Sequence, residues 1–293
     1  MPYRPTNAGL QATRVLWLAT ALVLTLAIDG AAEGRQAIAG TVSTPAWWGV
    51  CALVVVALVV CGPVALTVVR IVVPTSVAVA GVTVILGASA MRGGGAVAVA
   101  ILASVSAFTA ETGEAMVQVA AYGDERRLPL RVPAAMQLPM AVSWLLWSAA
   151  SLGGFLAIAA DRAILGYGLL LVACALTWIL SRRFHRFSCR WLVSVPAGIV
   201  VHDHFVLAET LMVMRPNVER AQLALAGTDA ADLSGPAAGH ALEITLREST
   251  PVVFAATASH PKGRAIHATA FLTAPSRPGR ALHALADRKI PVS

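Results

Sequence analysis

Charged residues are scarce in this chain: Asp, Glu, Lys and Arg make up 13% of its 293 residues, about half the share of an average soluble domain. Disorder needs the opposite balance, so a hydrophobic content of 57% excludes it. Lysine is nearly missing, since 20 of the 22 basic residues are Arg. With abundant Ala, this is the bias of a high-GC genome. Cysteine is confined to positions 51, 61, 174 and 189, three of them inside apolar runs and none in a C-x-x-C. That argues against a zinc site, a dithiol redox motif and a secreted disulfide framework. Catalytic signatures are missing too, with no G-x-S-x-G, H-E-x-x-H, Walker loop or G-x-G-x-x-G. Gly93-Gly94-Gly95 has no strand before it and no Lys-Ser/Thr after it, and reads as a turn. The expectation is a non-enzyme without metal or cofactor.

What the chain has instead is long apolar runs, and a mean hydropathy of +0.74. A bilayer span needs about 20 apolar residues. Six candidates occur, at about 14–32, 46–69, 71–90, 93–113, 135–160 and 163–181. The first has the shortest uninterrupted core, Val15–Ile28, and with Arg4 and Arg14 ahead of it has features of a signal peptide. It is expected to be retained as a helix. Placing both termini in the cytoplasm puts Arg4, Arg14, Arg70, Arg126, Arg127, Arg131, Arg182, Arg183, Arg186 and Arg190 inside. Only Arg35, Arg92 and Arg162 then lie outside, a clear positive-inside bias. Trp47 and Trp48 are expected at the outer interface, and Trp17 and Trp178 at the inner one. Trp144 and Trp147 lie near mid-span, one turn apart, and read as bundle packing.

Other residues suggest how the helices pack. Ala96, Ala100, Ser104 and Ala107 form one small-residue stripe on the fourth span, suited to close helix approach. Pro63 is expected to kink the second span from its interior, and Pro74 to sit in the first turn of the third. No repeat with a period of about 20–50 residues is visible, and the two halves of the membrane part show no convincing similarity. An inverted-repeat transporter loses support accordingly.

Polar residues that could carry function are few. Glu111, Glu114 and Gln118 fall at i, i+3 and i+7, on one face of an expected helix that prolongs the fourth span. At 1.5 Å per residue, Glu111 lies about 27 Å along from Gly93, near the inner edge of the hydrocarbon core. Carboxylates at that depth are candidates for an ion, proton or partner site. The plainer reading is a solvated helix end paired with Arg126, Arg127 or Arg131. Asp29 and Asp161 read as interfacial caps, and no ionisable residue is expected at mid-bilayer. His202-Asp203-His204 has a spacing able to bind metal, but without a third ligand close by it reads as an exposed turn between strands. Segment 181–191 interleaves Arg182, Arg183, Arg186 and Arg190 with Phe and Trp. Such a belt suits anionic headgroups, each Arg gaining about 1 kcal/mol near the surface, and equally reads as a topology signal alone.

After Trp191 the periodicity shortens to that of strands. The expected strands are Trp191–Val195, Gly198–His202, Leu211–Arg215, Ala241–Arg247, Pro251–Ala256 and Ile266–Thr273. Ser276 as N-cap and Pro278 in the first turn predict a closing helix with Leu282 and Leu285 on its inner face. Three stretches, Val195–His202, Met214–Val218 and Phe271–Pro278, give this region a likeness to a known family. They resemble the opening hairpin, the following strand-to-turn element and the last strand of the bacterial pleckstrin-homology-like domain. The resemblance implies a bent barrel capped by a C-terminal helix, acting in assembly or interaction without catalytic residues.

The fold class expected is thus an α-helical polytopic membrane protein followed by a small β-rich cytosolic domain. Residues 1–181 form the bundle, 182–190 a basic-aromatic linker and 191–293 the β-rich domain. Expected partners are the bilayer, anionic headgroups and a protein at the cell membrane. The basic excess, a formal net charge of +7, sits largely beside apolar segments, so nucleic acid is not expected. The alternative function is a transporter or channel component using Glu111 and Glu114, and the least favoured is an intramembrane enzyme.

Overall fold

The computed structural model describes residues 7–32, 37–256 and 260–293. The chain divides into two units. One holds the described residues up to Met116 together with Met140–His185, and the other holds Val117–Pro139 and Arg186–Ser293.

The first unit is helical. Its elements are α1 (Ala8–Ala32), α2 (Ala37–Val60), α3 (Pro63–Val72), α4 (Thr75–Ile85), α5 (Ala90–Phe108), most of α6 (Ala110–Gln118), and the greater part of α7 (Ala134–Ala159) and α8 (Ala163–Ser188). Five helical stretches among the described residues are long and apolar enough to cross a membrane. They are Ala8–Ala31, Pro63–Ile85, Ala90–Phe108, Ala134–Ala159 and Ala163–Ser188. The expected second span is represented by a shorter apolar stretch, Thr44–Val60.

The two prolines exchange the roles expected of them. Pro63 does not kink a helix interior. It opens α3 behind Gly62, whose φ of 96° ends the preceding run, and a first-turn proline lacks only an N–H that would be unpaired anyway. Pro74 instead interrupts the continuous stretch Pro63–Ile85. Side chains satisfy the carbonyls around this break. Thr75 Oγ1 donates to Val72 O at 2.6 Å, Ser76 Oγ to Val73 O at 2.6 Å and Trp144 Nε1 to Ile71 O at 2.9 Å. Arg70, expected in an inner loop, therefore lies inside α3. The apolar run offered no turn residue near position 70, so its lone charge was a misleading boundary.

Trp17 and Trp47 are buried between helices. Trp17 Nε1 donates to Cys51 O and Trp47 Nε1 to Ala21 O, each at 3.3 Å, with the rings 5.9 Å apart. Trp48 and Trp178 are exposed. Arg14 donates from Nε and Nη2 to Leu58 O at 3.2 and 2.7 Å, satisfying a carbonyl in the last turn of α2. On α5, Ala96, Ala100, Ala103 and Ala107 are fully buried, Ala103 taking the place expected for Ser104. Close approach of α7 and α8 is centred on Gly154 and Gly166. A Cβ at Gly166 would meet Ile158 Cγ1 at 2.5 Å and Gly154 O at 2.9 Å.

The second unit contains two four-stranded sheets. In chain order the strands are β1 (Arg126–Pro129), β2 (Trp191–Val195), β3 (Gly198–His202), β4 (Leu211–Met214), β5 (Val218–Leu223), β6 (Ala231–Asp232), β7 (Leu242–Phe254) and β8 (Arg264–Thr273), followed by α9 (Pro278–Ala286). One sheet runs β1-β2-β3-β4 and the other β5-β7-β8-β6. Leu192, Ile199, Val201, Leu233, Leu242, Ile244 and Phe271 form the centre of one core, joined by Leu285 of α9. Pro196-Ala197 turns β2 into β3, and Gly198 is required there because a Cβ would stand 2.0 Å from Val213 O.

Several boundaries differ from expectation. β1 comes from the loop before α7, so the β unit does not begin at residue 191. The alternation expected of a strand is obscured at Arg126-Arg127-Leu128-Pro129. β5 and β6 are further strands, and the two strands expected over 241–256 are one strand with an irregularity between Thr245 and Thr250. The expected 182–190 linker is helical through Ser188 as the last turns of α8. Arg277, not Ser276, is the N-cap of α9, with Pro278 in its first turn. Two ion pairs clasp the ends of this unit together: Arg126 with Asp287 at 2.6 Å and Arg288 with Asp124 at 2.7 Å. The hydrogen bond from Arg288 holds the Asp124 carboxyl below its ordinary range.

Candidate functional site

The helical unit concentrates its polar side chains where α5 gives way to α6. The expected continuous helix breaks at Thr109, whose ψ of 147° is extended. Glu111 and Glu114 therefore lie on a separate short helix and do not prolong the small-residue face of α5. Thr109 Oγ1 accepts from Thr112 N–H at 3.3 Å, fixing the new helix start. Thr13 Oγ1 lies 2.7 Å from Ser106 Oγ and 3.0 Å from Thr112 Oγ1, which in turn is 3.0 Å from Thr109 Oγ1. These four hydroxyls knit α1, α5 and α6 together in a layer where no apolar side chain would satisfy the broken helix.

Glu114 is buried and Glu111 is half-buried. Gly9 permits the approach of α1: a Cβ there would meet Glu111 Cβ at 2.7 Å and Oε2 at 3.2 Å. A carboxylate beside the first turn of α1 is favoured by the positive end of the helix dipole. Arg70 reaches the same break. Its Nε donates to Ala107 O at 3.5 Å, its guanidinium stands 5.7 Å from the Phe108 ring centroid, and Nη2 leaves no room for a side chain at Gly113. His185 Nδ1 lies 3.1 Å from Thr67 Oγ1. The layer thus combines hydroxyls, a carboxylate and a guanidinium within an otherwise apolar bundle.

Gln118 is engaged elsewhere. Its Oε1 accepts from Arg127 N–H at 2.9 Å and its Nε2 donates to Glu125 O at 2.8 Å, fixing the segment that enters β1. Of the arginines expected to pair with Glu111 and Glu114, Arg126 meets Asp287, Arg127 meets Glu125 at 2.7 Å and Arg131 donates to His240 O.

In the β unit, Arg190 and Asp203 are each 1% exposed. Arg190 Nε and Nη2 donate to Asp203 Oδ1 and Oδ2 at 2.8 and 2.6 Å, and Nη1 donates to Arg131 O at 2.7 Å. Asp203 Oδ1 also accepts from Phe205 N–H at 3.0 Å. This corrects two expectations: Arg190 is withdrawn from any headgroup belt, and Asp203 is not part of an exposed turn. Beside the pair, Arg127 covers the Trp191 ring at 5.0 Å and His202 stacks on it at 5.3 Å, with His204 edge-on to His202 at 4.3 Å. Burial lowers the His202 pKa from its ordinary value, and the neighbouring His204 and Arg127 lower it further. Among the described residues no three His, Cys, Asp or Glu side chains are grouped to hold a metal ion.

Arg182, Arg183 and Arg186 are exposed on the last turns of α8. Arg182 lies over the Trp178 ring at 4.1 Å, a cation–π contact. Sequence reasoning missed Arg70, Thr13, Ser106 and Thr112 as members of the polar layer. The signal available was the single charge in the apolar stretch 63–85.

No protein-family model matches the chain, and neither a curated protein nor a solved structure does. The architecture alone defines the class: apolar helices in the number and length of a multi-pass membrane protein, with a unit of β-sheets and a C-terminal helix.

Proposed function

We propose that this chain is a non-catalytic multi-pass protein of the cell membrane whose β unit lies in the cytosol and mediates assembly or partner binding at the membrane. One observation carries the reading. β1 precedes α7 and β2 follows α8, yet they pair from Arg126↔Ser194 to Pro129↔Trp191. Two strands pair only on the same side of a bilayer, so the chain between them crosses an even number of times. α7 and α8 supply two crossings. A module assembled from an inter-span loop and a C-terminal segment is tethered by the chain to its membrane part, which suits an assembly module. Among the described residues, Arg126, Arg127, Arg131 and Arg190 of the expected inner arginines lie outside every candidate span, against Arg162 of the expected outer ones, which favours the cytosolic side.

On this reading Arg182, Arg183 and Arg186 face anionic headgroups of the inner leaflet. Two antiparallel-rich sheets followed by α9 are the elements that the resemblance to the pleckstrin-homology-like domain implies. A second reading, a transporter or channel component, is favoured by the burial of Glu114 on α6.

Two measurements test the choice. Ala238→Cys, in a background without the native cysteines, is expected to resist a membrane-impermeant thiol reagent in intact cells and to react once the membrane is opened. Modification in intact cells overturns the cytosolic assignment. Glu111→Gln with Glu114→Gln is expected to leave cellular phenotype and co-purifying proteins unchanged. A lost phenotype with folding and assembly intact counts against this reading and favours a transporter or an intramembrane enzyme.

A further inference from the structure

We propose that β4 is a self-recognition edge through which two copies of this chain join their sheets. The inference rests on the assembly reading and names the partner of the β unit as a second copy. β4 is the last strand of its sheet, with β3 on one side only. The β3–β4 register includes Gly198↔Met214 and Val200↔Met212, and Arg215 N–H donates to Ala197 O at 2.7 Å. Hydrogen-bonded and non-bonded positions alternate along an antiparallel pair. Leu211, Val213 and Arg215 therefore turn their backbone groups toward β3, while Thr210, Met212 and Met214 turn theirs to the open edge. Met212 and Met214 are 49% and 53% exposed, and Glu209, Thr210 and Arg215 are exposed as well. The strand itself, Leu211–Met214, is short but carries no lysine, proline or bulge, with Glu209 in the bend before it and Arg215 opening a 3-10 turn, Arg215–Asn217, after it.

The sequence Glu209-Thr-Leu-Met-Val-Met-Arg215 is self-complementary about its middle residue. In a two-fold antiparallel pairing centred on Met212, Met212 faces its own copy and Thr210 faces Met214. All of those residues have their backbone groups on the open edge. The same register sets Glu209 opposite Arg215 of the second copy, once at each end. Centring on Leu211 sets Glu209 against Val213, and centring on Val213 sets Leu211 against Arg215. Charge therefore selects one register and one partner. A contact of one short strand is far smaller than the roughly 1,200–2,000 Å² of a stable soluble interface. Pairing accordingly depends on both copies sharing a bilayer, which raises their effective concentration.

Disulfide formation in membranes tests the register. Cα atoms of a hydrogen-bonded antiparallel pair stand about 5.5 Å apart, within disulfide reach. In full-length protein with the native cysteines replaced by Ala, Met212→Cys is expected to form cross-linked dimers. Leu225→Cys, exposed outside the strands, is the control and is expected to cross-link several-fold less. Glu209→Arg or Arg215→Glu alone lowers the Met212→Cys yield several-fold, and the two together restore it. In nanodiscs, protein with its native cysteines is expected to count as two copies and the Glu209→Arg variant as one. Cross-linking no better than the control, no rescue by the double reversal, or an adduct with a different protein overturns the pairing. Such a failure leaves the assembly reading standing if partners still co-purify with the Glu111/Glu114 variant.

Discussion

Replacing Asp203 by Ala removes the counterion of a guanidinium that has almost no access to water. In the native unit Arg190 places two N–H groups on the Asp203 carboxylate and a third on Arg131 O, while Asp203 also holds Phe205 N–H. After the substitution Arg190 keeps one of its three acceptors and Phe205 N–H loses its partner. Breaking a buried pair from one side costs about 3–5 kcal/mol, a large part of the roughly 5–15 kcal/mol that holds a domain together. At roughly 4 °C per kcal/mol the β unit should melt about 12–20 °C lower. Asp203→Asn keeps an acceptor for Phe205 and should lose less. Arg190→Met with Asp203→Leu removes both charges and should cost only about 1–2 kcal/mol, chiefly for the two backbone groups left unpaired. Thermal protection of β2 and β3 amides from hydrogen exchange, in the full chain in nanodiscs, gives each value. A loss below about 1 kcal/mol for Asp203→Ala, or a double variant as unstable as the single, refutes the role given to this pair.

Gly198→Ala should detach β4 from β3, because the added Cβ meets Val213 O at 2.0 Å. A loss of about 2 kcal/mol or more in the same exchange experiment is expected, and native-like protection of β4 would contradict it. Gly166→Val should separate α7 from α8, since its Cβ meets Ile158 and the Gly154 carbonyl. Cysteines at Gly153 and Leu169 then lose their cross-link, whereas Gly168→Val, with open space at its Cβ, keeps it. For pH, burial lowers the His202 pKa, with smaller lowering from His204 and Arg127 and opposition from Asp203. The folded unit therefore resists protonation more than the unfolded chain, which titrates near pH 6.5. Stability should be level above about pH 6.5 and fall as pH drops through the lowered folded value. His202→Gln should flatten that fall, and an unchanged slope would assign it to other groups.

Long apolar runs were legible because the bilayer imposes length and composition on them directly. Trp191–Val195 and Gly198–His202 were legible as strands because their residues are β-branched or aromatic and a proline-containing turn separates them. Helix ends inside the apolar region were not. In 46–90 the break lies at Cys61-Gly62-Pro63, where backbone conformation decides, and the nearby charge of Arg70 marks no boundary. At Thr109 the helix ends where the hydroxyls of Ser106 and Thr112 meet that of Thr13, 93 and 99 residues away in the sequence, an interaction no local window contains. Asp203 looked solvent-exposed between two histidines because its partner Arg190 lay in a run of arginines with an obvious alternative use.

β1 shows why that alternative use hides a second one. Arg126, Arg127 and Arg131 precede α7, where, on the proposed topology, positive charge holds a loop on the inner side during insertion. Their strand partner, β2, is made only after α7 and α8, so β1 must wait unpaired. Two arginines and Pro129 suit that wait, since charge and proline discourage mispairing at an edge. Once β2 is available, the same side chains take fixed places: Arg126 on Asp287, Arg127 on Glu125 and Trp191, Arg131 on His240 O. Guanidinium is well fitted to this double use. Arg190 serves three acceptors and Arg288 binds both the side chain and the carbonyl of Asp124, whereas an ammonium lacks a planar fork to address them together. Whatever set the composition, the near absence of lysine leaves this unit with the cation best able to act first as a topological signal and then as a multidentate clasp.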